Sequence, residues 1–82
     1  MIFRYHAYIL KSIEHNYFYK DHCRDLDSRI LQHNAGMTAS IKPNIPFKLV
    51  YSESFTTEKE AINREKYFKS AAGRRFLKKI IK

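Results

Sequence analysis

Two short segments dense in aromatic and branched side chains, FRYHAYILK at residues 3–11 and YFYKDH at residues 17–22, are separated only by a stretch ending in Glu14, His15 and Asn16. Both compositions favour a pleated, half-buried strand, and strands this close in sequence pair with each other. The turn falls at Ile13 to Asn16. It lacks the Asn-Gly or Asp-Gly pair of a tight hairpin, so a loop of three or more residues is expected. With that loop, Tyr8 and Tyr19 lie roughly opposite each other near the strand centres. A slip of one residue would send the two phenols to opposite faces.

The rest must fit around this hairpin in 82 residues. That length supports a single domain, 1–82, with one core. Six Tyr and six Phe supply large apolar areas for that core. Two Gly and two Pro leave no composition typical of disorder. The single cysteine, Cys23, excludes an internal disulfide and suits a reducing compartment, where it reads as a small packing residue. Arg4 and His6 interrupt the first apolar run, which carries no cleavage pattern of a signal peptide. No apolar stretch approaches the ~20 residues that span a bilayer. A cytoplasmic protein is expected.

Downstream, residues 25–32 turn helical, with Leu26, Ile30 and Leu31 as the apolar side and Gly36 as the stop. Arg29 and His33 are one turn apart and share a face at the edge of that stripe. Residues 35–45 read as a polar loop. FKLVYSESF at 47–55 is a third strand, in which Phe47, Leu49 and Tyr51 alternate with Lys48, Val50 and Ser52. Thr57 and Glu60 form a capping box that opens a helix running to about Ser70. Gly73 breaks it, and Arg74 to Ile81 form a last helix anchored by Phe76, Leu77, Ile80 and Ile81. The predicted order is β-β-α-β-α-α, an α+β fold.

Lys and Arg outnumber Asp and Glu by 16 to 8, and between Arg64 and Lys82 eight basic residues face a single acid, Glu65. Such density draws phosphate backbones through counterion release. Lys20, Lys42, Lys69, Arg74 and Arg75 are the candidate nucleic-acid contacts. A merely solvated basic helix face is the plainer alternative. A membrane surface fits less well, because the apolar residues of the tail are needed for the core. On a helical wheel Glu65 falls between Ala61 and Phe68, inside the apolar arc. A carboxylate there needs a partner: a salt bridge to Arg29 or a neighbouring Lys, or a hard divalent cation. Among the other titratable side chains, His6, His15 and His22 show no metal-ligand spacing with Cys23.

Four stretches together carry a family resemblance: AYILKS, YKDHCRDLDSRILQHNAG, SIKPNIPFKLVYSESF and EAINREKYFKSAAGRRFLKKII. Their RxxxHN, PFKLVY and REKxxK segments resemble the GIY-YIG nuclease domain, in particular small stand-alone members related to the amino-terminal domain of the UvrC excision-repair subunit. The resemblance covers nearly the whole chain. It implies a three-stranded antiparallel sheet flanked by helices and a metal-dependent endonuclease acting on nucleic acid, with DNA the expected polymer. It also implies roles residue by residue. Tyr8 and Tyr19 match the tyrosines of the first and second motifs, Arg29 the arginine on the scissile phosphate, and His33 the residue one turn on. Glu65 matches the glutamate that holds one Mg²⁺ or Mn²⁺. A tyrosine would then deprotonate the attacking water, although a pKa near 10 makes tyrosine a weak base at pH 7 unless cations lower it.

Two departures stand out. Ala7 replaces the glycine of the first motif, a mild change within a strand. In the second, Lys20 replaces an apolar residue and Asp21 stands where glycine is usual. Asp21 brings bulk and negative charge beside a phosphate site. It would weaken DNA binding, serve as an extra metal ligand, or mark a chain that has lost cleavage. The rival expectation is therefore a catalytically silent nucleic-acid-binding module of the same fold. No separate specificity segment is evident, so preference would come from loops or a protein partner. The two sheet edges leave pairing between copies open.

Overall fold

The computed structural model describes residues 2–81. Its elements are β1 (Tyr5–Ser12), β2 (Phe18–Cys23), α1 (Leu26–Asn34), a 3₁₀ helix (Ala39–Asn44), β3 (Phe47–Phe55), α2 (Glu58–Phe68) and α3 (Ala71–Ile80). The strands form one antiparallel sheet in the order β2-β1-β3. The α+β architecture thus matches the sequence reading, with the loop after α1 tightened into a 3₁₀ turn.

β1 is central, and Ala7, Tyr8, Ile9 and Leu10 are all fully buried. Its two faces nucleate two packed groups. Ala7 and Ile9 meet Phe68 and Leu77 from α2 and α3, with Val50, Tyr51 and Phe55 alongside. Tyr8 and Leu10 meet Ile41 and Phe47, with Leu26 and Ile30 of α1 against them. The sheet therefore lies between α1 with the 3₁₀ turn on one side and α2 with α3 on the other.

Hairpin register departs from the simplest expectation. Tyr8 pairs with Asp21 and Leu10 with Tyr19, so the two tyrosines sit diagonally on one face and not directly opposite. Strand alternation makes them share that face, because Tyr19 and Asp21 are two residues apart.

β3 corrects a second expectation. Ile9 pairs with Tyr51 but Leu10 with Leu49, so Val50 is an extra residue, a β-bulge. The bulge switches faces along the strand. Phe47 packs with Tyr8 and Leu10, whereas Val50 and Tyr51 pack with Ile9. Leu49, expected in the same buried row as Phe47 and Tyr51, is 41% exposed.

Helix ends follow local chemistry. Asp25 caps α1 by accepting from Ser28 N. At the other end Gly36 has φ +81°, Gly36 N donates to His33 O and Met37 N to Gln32 O. This is a Schellman stop, which glycine enters without strain. Leu31 does not join the apolar side of α1; it is 71% exposed. The Thr57–Glu60 capping box opens α2 as expected.

Gly73 does not break a helix. The chain turns at Lys69 and Ser70, Ser70 caps α3, and Gly73 lies inside α3. Its lack of a side chain serves close packing: a Cβ there would stand 2.0 Å from Tyr67 O and 2.7 Å from Phe68 Cα. Leu77 and Phe76 anchor α3, while Ile80 and Ile81 stay partly exposed.

Gly73→Ala therefore forces the α2–α3 corner apart. A loss of roughly 1–3 kcal/mol is expected, the usual cost of overpacking, seen as a lower urea midpoint at unchanged slope. An unchanged midpoint would show that the corner opens freely.

Candidate active site

β2 is an edge strand, and its free edge is where side chains from both faces of the sheet meet. Tyr19 and Asp21 face the α1 side; His22, between Asp21 and Cys23, faces α2. No strand among the described residues pairs with the outer edge, and the Asp21 and His22 side chains approach around it, with His22 Nδ1 3.6 Å from Asp21 Oδ1.

On the α1 side Tyr8 OH donates to His33 Nε2 at 2.8 Å, and His33 Nδ1 meets Thr38 Oγ1 at 2.8 Å. His33 is fully buried, and the Tyr19 ring stands edge-on to it at 5.1 Å between centroids. Arg29 and His33, expected to share one edge-facing surface, divide: His33 turns inward, and the Arg29 side chain is 38% exposed with Nη2 4.0 Å from Asp21 Oδ2. Tyr19 OH donates to Asp21 Oδ2 at 2.7 Å.

On the α2 side His22 Nδ1–H donates to Glu65 Oε1 at 2.6 Å, and Lys69 Nζ donates to Glu65 Oε2 at 2.7 Å. The need for a partner at Glu65 is thus met by His22 and Lys69. Arg29, the other partner considered, pairs instead toward Asp21.

Tyr8, Tyr19, Arg29, His33 and Glu65 consequently join one contact chain that runs through Asp21 and His22. The electrostatics differ along it. Burial drives the Tyr8 phenol well above its ordinary value, and the nearby Asp21 charge adds to this while Arg29 works against it. Tyr19 is raised as well, by burial and then by its bond to Asp21. Both phenols are proton donors at neutral pH. Burial pushes Asp21 upward, but the bonds from Tyr19 and the His22 N–H, the Glu65 carboxyl and the His22 charge together hold it below the usual carboxylate range. Burial and then the Arg29 charge lower His33, which keeps it neutral. Burial pushes the Cys23 thiol up to about 11, so it stays protonated.

Of the basic candidates, Lys20, Lys69 and Arg74 come together. Burial, then the charges of Arg74 and Lys69, lower Lys20. Lys20, Arg74 and Lys78 rim a groove of about 380 Å³ between β2 and α3, floored by Phe18 and Leu77. Lys42 lies elsewhere, its stem across Gly36. Arg75 is exposed on α3 and does not line this groove.

Three side chains converge on a common point: donor atoms of Asp21, His22 and Glu65 lie within 4.8 Å of one another. Two carboxylates and an imidazole at that spacing fit a divalent cation. His22 is the residue that spacing with Cys23 could not find. The signal was its place beside Asp21 on an edge strand packed under α2. Thr38 also escaped notice, because its contact with His33 depends on the 3₁₀ turn.

The GIY-YIG catalytic domain model matches residues 4–79, and the chain belongs to this family. It is similar to the UPF0213 protein SSP2268 of Staphylococcus saprophyticus, at 35% identity over 94% of each chain. It is also similar to the UPF0213 protein YazA of Bacillus subtilis, at 35% identity over 78% of this chain and 66% of that protein. Among solved structures, the solution structure of the UPF0213 protein BH0048 of Bacillus halodurans superposes with a TM-score of 0.55. That pair is 26% identical and covers 94% of this chain and 84% of the other. The family is one of nucleases. No helix among the described residues is long and apolar enough to cross a membrane.

The buried, neutral His33 gives a signed pH dependence. Its folded pKa lies below the unfolded value of 6.5, so the unfolded chain binds the extra proton. The stability is present above that value and is lost as pH falls through it. Urea midpoints measured from pH 7.5 to 5 should fall for the wild type and fall less steeply for His33→Gln. Parallel profiles would remove His33 as the cause.

Proposed function

We propose that this domain is a divalent-metal-dependent endonuclease that hydrolyses phosphodiester bonds of nucleic acid, with DNA as the polymer. One observation carries the reading: Tyr8, Tyr19, Arg29, His33 and Glu65, drawn from β1, β2, α1 and α2, meet in one chain of contacts at the free edge of β2.

Exposure separates their parts. Tyr8 is fully buried, beyond reach of a substrate. It positions the residues around it, with His33 behind it held by Thr38. Tyr19 is only half-buried and aims its hydroxyl at Asp21. As water attacks phosphorus, its proton passes to the Tyr19 oxygen while the Tyr19 proton passes to Asp21 Oδ2. The phenol never has to exist as free phenolate, which its raised pKa forbids at neutral pH. Arg29, partly exposed, offsets charge growing on the phosphoryl oxygens. Glu65 would hold the cation, Mg²⁺ or Mn²⁺, which supplies charge stabilisation at the leaving oxygen. Lys20, Lys69, Arg74 and the groove beside them track the backbone of the flanking strand, and Lys42 and Arg75 extend the positive field.

A second reading has one observation in its favour. Asp21 Oδ2 lies 4.0 Å from Arg29 Nη2, where it competes with a phosphate for the guanidinium. A silent module that binds without cutting would keep the fold and the basic groove. Plasmid nicking with Mg²⁺ or Mn²⁺ separates the two. The wild type should nick, and Glu65→Gln should not while still binding DNA. Arg29→Ala should lose about 10²–10³-fold in rate, as for a lost transition-state donor. Binding with no nicking by the wild type would sink the enzyme and leave the module.

The groove has its own test. Arg74→Ala should weaken DNA binding and lower the slope of log affinity against log salt by about 1. An unaltered slope would place the strand elsewhere.

A further inference from the structure

We infer that Asp21 and His22 complete, with Glu65, a three-residue nitrogen–oxygen cation site that prefers Mn²⁺ and the later first-row divalent metals over Mg²⁺. This rests on the reading that Glu65 holds the cation, and it turns the unusual Asp21 from a defect into a ligand.

The three donors are fixed independently. β1–β2 pairing sets Asp21 opposite Tyr8 and His22 opposite Ala7. Glu65 comes from α2, which is packed on the sheet through Ala61 and Phe68. Their side chains are 21%, 29% and 14% exposed, enough for an ion and its waters to enter from the open edge. One oxygen of each carboxylate is held by a side chain other than His22, Asp21 Oδ2 by Tyr19 and Glu65 Oε2 by Lys69, while Asp21 Oδ1 also accepts from the His22 backbone N–H at 2.8 Å. The opposite oxygens, Asp21 Oδ1 and Glu65 Oε1, are the ones nearest His22 Nδ1, at 3.6 and 2.6 Å. An ion would therefore be received without breaking the contacts to Tyr19 or Lys69. To bind the ion, the imidazole must present its Nδ1 lone pair, with a proton on Nε2 only.

Donor chemistry then sets the metal. Two carboxylates balance a 2+ charge. Mg²⁺ takes oxygen ligands and keeps most of its waters, so it gains little from an imidazole. Affinity for nitrogen-containing sites rises from Mn²⁺ to Cu²⁺ along the first row, with Zn²⁺ below Cu²⁺. A single glutamate, with oxygen donors alone, would show a flatter ordering.

The test is calorimetry on the full chain stripped with chelator, titrated separately with MnCl₂ and MgCl₂. One site is expected, with Mn²⁺ bound on the order of tenfold or more tightly than Mg²⁺. His22→Gln, which offers an oxygen, should erase most of that preference with little change for Mg²⁺. Asp21→Gly should weaken both ions. Nitrogen coupling in the Mn²⁺ electron spin echo should be present in the wild type and absent in His22→Gln, and circular dichroism confirms folding of each variant. Equal affinities in the wild type, or a preference that survives His22→Gln, would overturn this inference alone. Undiminished binding in Glu65→Gln, or no binding of either ion by the wild type, would also remove the metal from the proposed function.

Discussion

A phenol hydroxyl buried in the middle of the central strand must find a partner, and the fold is organised around supplying one to Tyr8. Left unpaired it would cost a few kcal/mol, a large part of the stability of a small domain. His33 Nε2 supplies the partner. That places demands outward in turn. The imidazole must stay neutral and be held by its other nitrogen, which Thr38 does from the start of the 3₁₀ turn. His33 must also sit in the last turn of α1, and the Schellman stop at Gly36 ends the helix just beyond it. One turn earlier in α1, Arg29 comes to the surface near Asp21. There the exposed guanidinium donates to Gln32 Oε1 at 3.2 Å and stands 4.0 Å from Asp21 Oδ2.

The second organising constraint is the free edge of β2. A three-stranded sheet between two helical layers would keep residues of its two faces apart. Asp21 and His22 overcome this because an edge strand lets neighbouring side chains approach around it. Glu65, on the far layer, joins Tyr19 and Arg29 through them. Edge strands are usually guarded against pairing by charge. Here Lys20, Asp21 and His22 provide that guard, and a second sheet docking on this edge would have to desolvate them.

What the sequence made legible divides by range. The Thr57 capping box and the Gly36 stop depend on a few neighbouring residues and appear where expected, and the hairpin forms too, in a register that sets Asp21 and not Tyr19 opposite Tyr8. Tyr8, Tyr19, Arg29, His33 and Glu65, which the family resemblance singled out, stand in one chain of contacts through Asp21 and His22. Misreadings came where a long-range contact decided. One extra residue at Val50 redirects half of β3, and no periodicity announces it. Gly73 looks like a breaker until α2 and α3 are seen to touch at its Cα. Leu31 completes an apolar stripe on a wheel, yet no layer covers that part of α1. His22 carries no motif; its significance arises only when α2 lays Glu65 beside it.

Asp21 concentrates the remaining tension. Glycine at this position would leave the edge open for a backbone to approach. An aspartate closes that space and adds negative charge beside the proposed phosphate position. Yet its charge is not free: it is shared among the Tyr19 hydroxyl, the His22 N–H and the His22 ring, with Arg29 nearby. Those contacts hold it ionised, and an ionised Asp21 facing Glu65 makes two carboxylates that repel unless a proton or a cation lies between them. A divalent ion held by Asp21, His22 and Glu65 would offset the charges of both carboxylates. The substitution that looks most hostile to a phosphodiester therefore becomes compatible with one once a cation is present.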